Sequence, residues 1–124
     1  MWLKTETGAV ADVTAEDLQR LVASEDVGVF AQLFASQTRF IQAGMEVAGP
    51  RRNAFLREQG CAPWVLQYGY GEAFPQQMFQ AAEVVTFEQV RQVFLAFLAG
   101  DEAWRRQFTW GELPQLSKPW RRFW

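Results

Sequence analysis

A glycine pair within the stretch QYGYGEAFPQQMF, residues 67–79, is the first candidate for chemistry in this sequence. Glycines in this spacing open the phosphate-binding loop of dinucleotide-binding proteins, where the pattern G-x-G-x-x-G joins a strand to a helix. In this chain Phe74 occupies the third glycine position, and the carboxylate of Glu72 would repel a phosphate. We therefore interpret Gly69 and Gly71 as strand residues that leave room for a neighbouring element or a partner.

The sequence contains few side chains that could act as nucleophiles or metal ligands. It has no histidine, which removes the base of a catalytic triad and the commonest metal ligand. Its one cysteine, Cys61, can form neither an intrachain disulfide nor a cysteine-rich zinc site, and we expect a buried thiol without reactivity. Ser117 and Lys118 lie in a proline-flanked tail, where a nucleophile and base pair has little support. We predict a protein that is not an enzyme and that has no cofactor and no metal.

Adjacent carboxylates at Asp101 and Glu102 are the remaining candidates for acid–base chemistry. They follow a predicted helix directly, where a solvated pair of acids is the ordinary interpretation. A small enzyme with carboxylate chemistry stays open as an alternative, and it would require two acids that converge in a pocket and shift each other's pKa values.

The C-terminal stretch KPWRRFW, residues 118–124, combines arginine with tryptophan. Such a stretch can stack on nucleic-acid bases or lie at a membrane interface. The whole chain is slightly acidic, with 14 acidic and 12 basic residues and a net charge of −2, so it offers no general field for nucleic acid. We therefore expect packing or a loosely ordered terminus, and we predict neither nucleic acid, nor membrane, nor small-molecule substrate as a partner.

The cellular compartment is predicted from three features of the sequence. The first residues, MWLKTETG, contain a lysine but no apolar run after it, so we expect no signal peptide. No window approaches the roughly 20 apolar residues of a membrane span. A chain with a single cysteine does not depend on an oxidising compartment. We predict a cytoplasmic protein.

Alternating or β-rich patterns predict the strands. WLKTE near the N-terminus predicts a short strand with Trp2 turned inward, and Ser36 to Thr38 predicts the turn of a hairpin. Residues 51–60 fit either a short helix or a loop. The strands are predicted at 2–6, 27–36, 38–47, 64–71 and 77–84.

Two helix starts are predicted by capping residues. Thr14 precedes two acids and a short apolar stripe, and Thr86 with Gln89 forms a capping box. The second helix has apolar residues at helical spacing up to Ala99, and Gly100 is a natural stop. Residues 101–106 are predicted to add a further helical turn. One early helix, several adjoining strands and one late helix predict an α+β fold.

The predicted architecture is an antiparallel sheet of about four to six strands with two or three helices packed on one face. Residues 1–124 are expected to form a single domain, because 124 residues suit one core. Residues 114–124 are predicted to be an extended C-terminal tail.

Three stretches of the chain carry a resemblance to a known family: FIQAG (40–44), WVLQYGYGE (64–72) and VVTFEQVRQVFLAFLAGDEAWRRQFTWGEL (84–113). Together they resemble small α+β bacterial immunity proteins of polymorphic toxin systems, contact-dependent or type VI secreted, including those that guard against deaminase toxins. Residues 48–63 and 114–124 have no counterpart in that pattern. The resemblance implies a cytoplasmic, non-catalytic inhibitor that binds a cognate toxin and occludes its active site. The alternative is a non-catalytic adaptor or structural subunit of a bacterial assembly.

The residues predicted to bind the partner are aromatic, acidic and amide side chains near the end of one strand and after one helix. Tyrosines bury area while keeping a polar tip, which suits an interface, although packing in the core is the ordinary role of such rings. The acids would mimic a substrate in a basic toxin cleft. The predicted residues are Glu46, Tyr68, Tyr70, Glu72, Gln76, Gln77, Asp101 and Glu102.

Overall fold

The computed structural model describes residues 1–21, 27–45, 64–71, 77–83 and 85–113. Several predictions fall outside these ranges and stay predictions. They concern the stretch 48–63 with Cys61, the tail 114–124, and the site residues Glu46, Glu72 and Gln76.

Seven strands of the described chain form one antiparallel sheet in the order β2-β1-β3-β4-β5-β6-β7. The sheet is larger than the predicted four to six strands, because the sequence patterns missed β2 and β7. Both are too short for an alternating pattern to stand out. The strands are β1 (Trp2–Thr5), β2 (Gly8–Val10), β3 (Phe30–Phe34), β4 (Phe40–Met45), β5 (Trp64–Tyr70), β6 (Gln77–Ala81) and β7 (Trp110–Leu113).

The predicted hairpin of two long strands is confirmed as β3 and β4. Phe34 pairs with Phe40 at its closed end, and Phe30 pairs with Gly44. In the turn, the Ser36 hydroxyl accepts the backbone N–H groups of Thr38 and Arg39. β3 begins later than predicted, since the residues from Val27 to Val29 form a turn, and β4 begins at Phe40 and not at residue 38.

Two α-helices of the described chain cover one face of this sheet: α1 (Ala15–Gln19) and α2 (Phe87–Leu98). Their buried side chains, such as Leu18 and Phe94, join a core with Ile41, Leu66 and other inward residues of the central strands. Because side chains alternate along a strand, this face takes every second residue of β4 and β5. The α+β arrangement with helices against an antiparallel sheet is therefore confirmed in its coarse form.

Both predicted helix starts are present. Thr14 forms a capping box with Asp17, and Thr86 forms one with Gln89. At the end of α2, Gly100 has a φ of 78°, which is the left-handed conformation that glycine adopts without strain. The backbone N–H of Asp101 donates to the carbonyl of Ala96 at 2.9 Å, which closes the helix.

The inward orientation predicted for Trp2 is wrong. Leu3 is the buried residue of β1, and it pairs with Leu33 on the helix-covered face. Since neighbouring side chains point to opposite faces, Trp2 lies on the other face. There its ring stacks on Phe34 with centroids 4.9 Å apart, and 38% of the residue is exposed.

A row of four glutamines crosses this other face. Each belongs to a neighbouring strand, and each side-chain amide donates to the next: Gln32 to Gln42 at 2.9 Å, Gln42 to Gln67 at 2.6 Å, and Gln67 to Gln80 at 2.9 Å. We call this row the glutamine ladder. Its first three members are buried, and such polar groups are tolerated in the interior only when they are hydrogen-bonded.

Gly69 belongs to β5, and Gly71 is the residue directly after that strand. A Cβ added to Gly69 would lie 2.6 Å from Cε1 of Phe40 and 3.0 Å from the sulfur of Met78. The missing side chain therefore makes room for a neighbouring ring, as the strand interpretation predicts. Tyr70 and Gly71 are followed by residues outside the described ranges.

Candidate functional site

The candidate site lies where β5 ends. Tyr68 and Tyr70 point to the helix-covered face of the strand, two residues apart. Tyr68 pairs with Ile41 and Phe79 and is only 7% exposed, so it belongs to the core. Tyr70 pairs with Gln77 and is 49% exposed.

A 3₁₀ helix, Ala103–Arg106, brings an arginine to these rings. The helix follows α2 after Gly100, and the Asp101 carboxylate accepts the N–H of Ala103 at 2.9 Å. The indole N–H of Trp110 on β7 donates to the carbonyl of Arg105 at 2.8 Å. These bonds hold the backbone of Arg105 between the end of α2 and the sheet.

The guanidinium of Arg105 lies over both tyrosine rings. Its Cζ is 4.9 Å from the ring centroid of Tyr68 and 5.1 Å from that of Tyr70, which are cation–π distances. One of its nitrogens also donates to the Tyr68 hydroxyl at 3.4 Å. Tyr70 is thereby held against a cation while about half of it faces solvent.

Glu102 connects Arg105 to a second arginine. One carboxylate oxygen lies 3.4 Å from Nη1 of Arg105, and the other lies 3.4 Å from Nη2 of Arg39. Arg39 precedes β4, and its Cζ sits 5.6 Å from the ring centroid of Phe97 on α2. We define Arg39, Tyr68, Tyr70, Glu102 and Arg105 as the arginine–tyrosine patch.

An aromatic cluster supports the patch from below. The Tyr68 ring stacks on Phe79 with centroids 4.9 Å apart, and it meets Trp104 and Trp110 edge-on at 5.2 Å and 4.6 Å. Edge-on and stacked contacts of this kind add to the stability that burial alone provides. In the part of the chain that the structure describes, the indole nitrogen of buried Trp104 has no hydrogen-bond partner.

The charge of Arg105 is secured by its neighbours. Burial lowers the pKa of its guanidinium, but the hydrogen bond with Tyr68 and the charge of Glu102 outweigh that effect, so the pKa is raised overall. A guanidinium is protonated at any physiological pH. Arg105 is therefore a permanent cation with a fixed position beside an exposed ring.

The structure brings together some of the predicted site residues and adds others. Tyr68, Tyr70 and Glu102 belong to the patch, while exposed Gln77 is the strand partner of Tyr70. Asp101 is exposed and holds the start of the 3₁₀ helix. Whether any of these residues binds a partner stays a prediction.

Short sequence patterns did not identify Arg39 and Arg105, which are two of the five members of the patch. Arg39 and Glu102 are separated by 63 positions, so their pairing depends on the sheet and not on local spacing. Arg105 carried one usable signal, because it lies between two tryptophans in the stretch WRRQFTW. Arginine beside aromatic residues is a frequent composition of interface hot spots.

Among the described residues, no group of three or more Asp, Glu, Cys or His side chains is placed to hold a metal ion. No helix among the described elements is long and apolar enough to cross a membrane. Comparisons with protein-family models, with curated proteins and with solved structures found no match for this chain.

Proposed function

We propose that this chain is an immunity protein that binds a cognate bacterial toxin and neutralises it by occluding its active site, without catalysis of its own. The observation that carries the proposal is the half-exposed ring of Tyr70 held beside Arg105. Tyrosine and arginine are enriched among the residues that dominate binding energy in protein interfaces. A pre-positioned ring also loses little conformational freedom on binding.

Support also comes from the resemblance of three stretches of this chain to immunity proteins. Two of these stretches, 64–72 and 84–113, contain four patch residues: Tyr68, Tyr70, Glu102 and Arg105. The patch stands on a packed sheet and aromatic cluster, so a partner would meet a rigid surface. Rigid surfaces with a central aromatic anchor and a polar surround are typical of tight inhibitors. Exposed Gln77 and Asp101 would contribute to that polar surround.

The test is co-expression of this chain with the toxin domain encoded next to its gene. We expect the chain to restore growth and to co-purify with the toxin in a stable complex. Complex formation without restored growth would favour the alternative, a non-catalytic adaptor or structural subunit. Absence of both binding and protection would overturn the proposal.

A pair of variants locates the binding surface. Tyr70→Ala should raise the dissociation constant of the complex by about 30-fold or more, the usual size of a hot-spot loss. Val10→Ala on β2 is the matched control, since Val10 is 40% exposed, close to the 49% of Tyr70, on a different strand. Calorimetry of both variants should show the loss for Tyr70→Ala alone. Equal affinities would place the interface elsewhere on the chain.

A further inference from the structure

We infer that the arginine–tyrosine patch receives a carboxylate side chain of the toxin, which takes the place of Glu102 beside Arg39 and Arg105, an inference that rests on the proposed function. The sequence predicts that Glu102 faces a basic toxin cleft. This inference instead gives the toxin an acidic group at this surface. The starting observation is a charge imbalance. Within the described ranges, two guanidiniums share a single carboxylate, which leaves one positive charge over within the patch.

The bonds to Glu102 are long for charge-assisted hydrogen bonds. Both measure 3.4 Å, whereas strong arginine–carboxylate pairs lie near 2.8 Å. The Glu102 side chain is 46% exposed, and solvent weakens such pairs. A partner carboxylate that brings two parallel hydrogen bonds and excludes water would compete well with Glu102.

Both guanidiniums are already oriented by rings and not by Glu102 alone. Arg105 lies over Tyr68 and Tyr70, and Arg39 lies over Phe97. The bond from Arg105 to the Tyr68 hydroxyl fixes it further. A guanidinium has more N–H donors than the bonds to Glu102 and Tyr68 use, so the remaining donors can meet an incoming carboxylate.

The chemistry of the patch favours a protein over a nucleic acid. A nucleic-acid strand carries a phosphate at every nucleotide, and a binding groove for it needs a track of cations. Here the described residues of the patch supply a surplus of one positive charge, which suits a single carboxylate and not a row of phosphates. A single acidic side chain next to an apolar group that covers the Tyr70 ring fits this surface better.

The direction in which one substitution changes the affinity distinguishes this inference from the hypothesis that Glu102 mimics a substrate in a basic toxin cleft. Glu102→Gln removes the internal competitor, so affinity for the toxin domain should increase by about 3-fold, the size expected for an exposed pair. If Glu102 instead contacts a basic toxin cleft, the same change should weaken binding. Glu16→Gln is the matched control, because Glu16 on α1 forms an exposed ion pair with Arg20, directly after α1, and the change in net charge is the same.

Substitution of the arginine completes the experiment. Arg105→Ala should raise the dissociation constant by about 30-fold or more. Arg105→Lys should recover only part of the lost affinity, because lysine lacks the planar guanidinium that donates two parallel hydrogen bonds. Arg20→Ala, the control, should leave affinity within about 2-fold, as expected for a distant surface change. Thermal melts check that each variant is folded, and Arg105→Lys keeps the test valid if Arg105→Ala does not fold.

The outcomes are distinguishable from failure of the proposed function. If the wild-type chain does not bind the toxin domain, the proposed function and this inference both fall. If it binds and the Arg105 and Glu102 variants match their controls, the function stands and the carboxylate inference is wrong. A wild-type chain that binds single-stranded oligothymidine through Arg105 would also overturn the inference, because the anion would then be a phosphate.

Discussion

At the scale of single residues, Gly69 allows the ring of Phe40 to pack directly against the backbone of β5. The ring of Phe40 fills the space above it, so a methyl group there would come within 2.6 Å of a ring carbon. We predict that Gly69→Ala destabilises the fold by about 1–3 kcal/mol, the cost of overpacking a core. Urea unfolding measures the change in the free energy of unfolding.

Two controls make the Gly69 prediction specific. Gly8→Ala should change the free energy of unfolding by less than about 0.5 kcal/mol, because an added Cβ meets nothing within 4 Å. In a Phe40→Leu background the cost of Gly69→Ala should fall, since the two sites share one space and therefore couple. An unchanged cost in that background would contradict the steric explanation.

Glu83 is a residue whose contribution should depend on pH. Its two carboxylate oxygens both accept the backbone N–H of Thr109 at 3.0 Å, and this bond lowers the pKa of Glu83 from its ordinary value of 4.5. A carboxyl with a lowered pKa stabilises the folded state above its unfolded pKa, and this contribution is lost as the pH falls through the folded pKa. Glu83→Gln should therefore lower the urea midpoint at pH 7.

The pH series tests this assignment. The difference between wild type and Glu83→Gln should shrink as the pH decreases below about 4.5, where the wild-type carboxyl becomes protonated as well. Glu112→Gln on β7 is the control, since it removes another exposed carboxylate nearby. A constant difference from pH 7 to pH 3 would show that the charge of Glu83 is not the cause.

At the scale of elements, the glutamine ladder ties four strands together. Gln42→Leu would leave the Gln32 amide nitrogen and the Gln67 amide oxygen without their partners in a buried row. Each unpaired buried group costs about 1–3 kcal/mol, so for two such groups we predict a loss of roughly 2–6 kcal/mol in the free energy of unfolding. Gln107→Leu, at an exposed position, should be close to neutral.

A multiple variant separates the hydrogen bonds from the volume of the side chains. Joint replacement of Gln32, Gln42 and Gln67 by leucine removes buried donors and acceptors together. We expect it to cost less than the sum of the three single replacements, because fewer polar groups remain unpaired. Additive costs in urea unfolding would mean that the amides do not act as a connected row.

Elements with a local signature were predictable from the sequence, and those without one were not. Both threonine caps and the stop at Gly100 follow from short local patterns, and all three features are present in the structure. The alternation in β5 predicted its bulky face correctly. The partners of β2 and β7, and the meeting of Arg39 with Glu102, depend on long-range pairing that short windows do not contain.

At the scale of the whole molecule, the strand order places the patch near the middle of the sheet. β4 and β5 have a strand on each side, whereas β2 is three residues long, exposed along its length and paired with β1. Protection against hydrogen exchange follows burial and pairing, and strands in the core open only with the whole fold. A stability gradient from the centre of the sheet towards β2 follows from this arrangement.

We therefore predict that amides of β4 and β5 exchange slowest, by global unfolding, and that amides of Gly8–Val10 exchange by local opening at a much lower free energy. Native-state exchange at increasing urea measures this directly, because global openings accelerate strongly with urea and local ones hardly change. Equal protection of β2 and β4 would contradict the gradient. Slow exchange in β5 would mean that Tyr68 and Tyr70 are presented by the most stable part of the sheet, so binding would require little ordering of this surface.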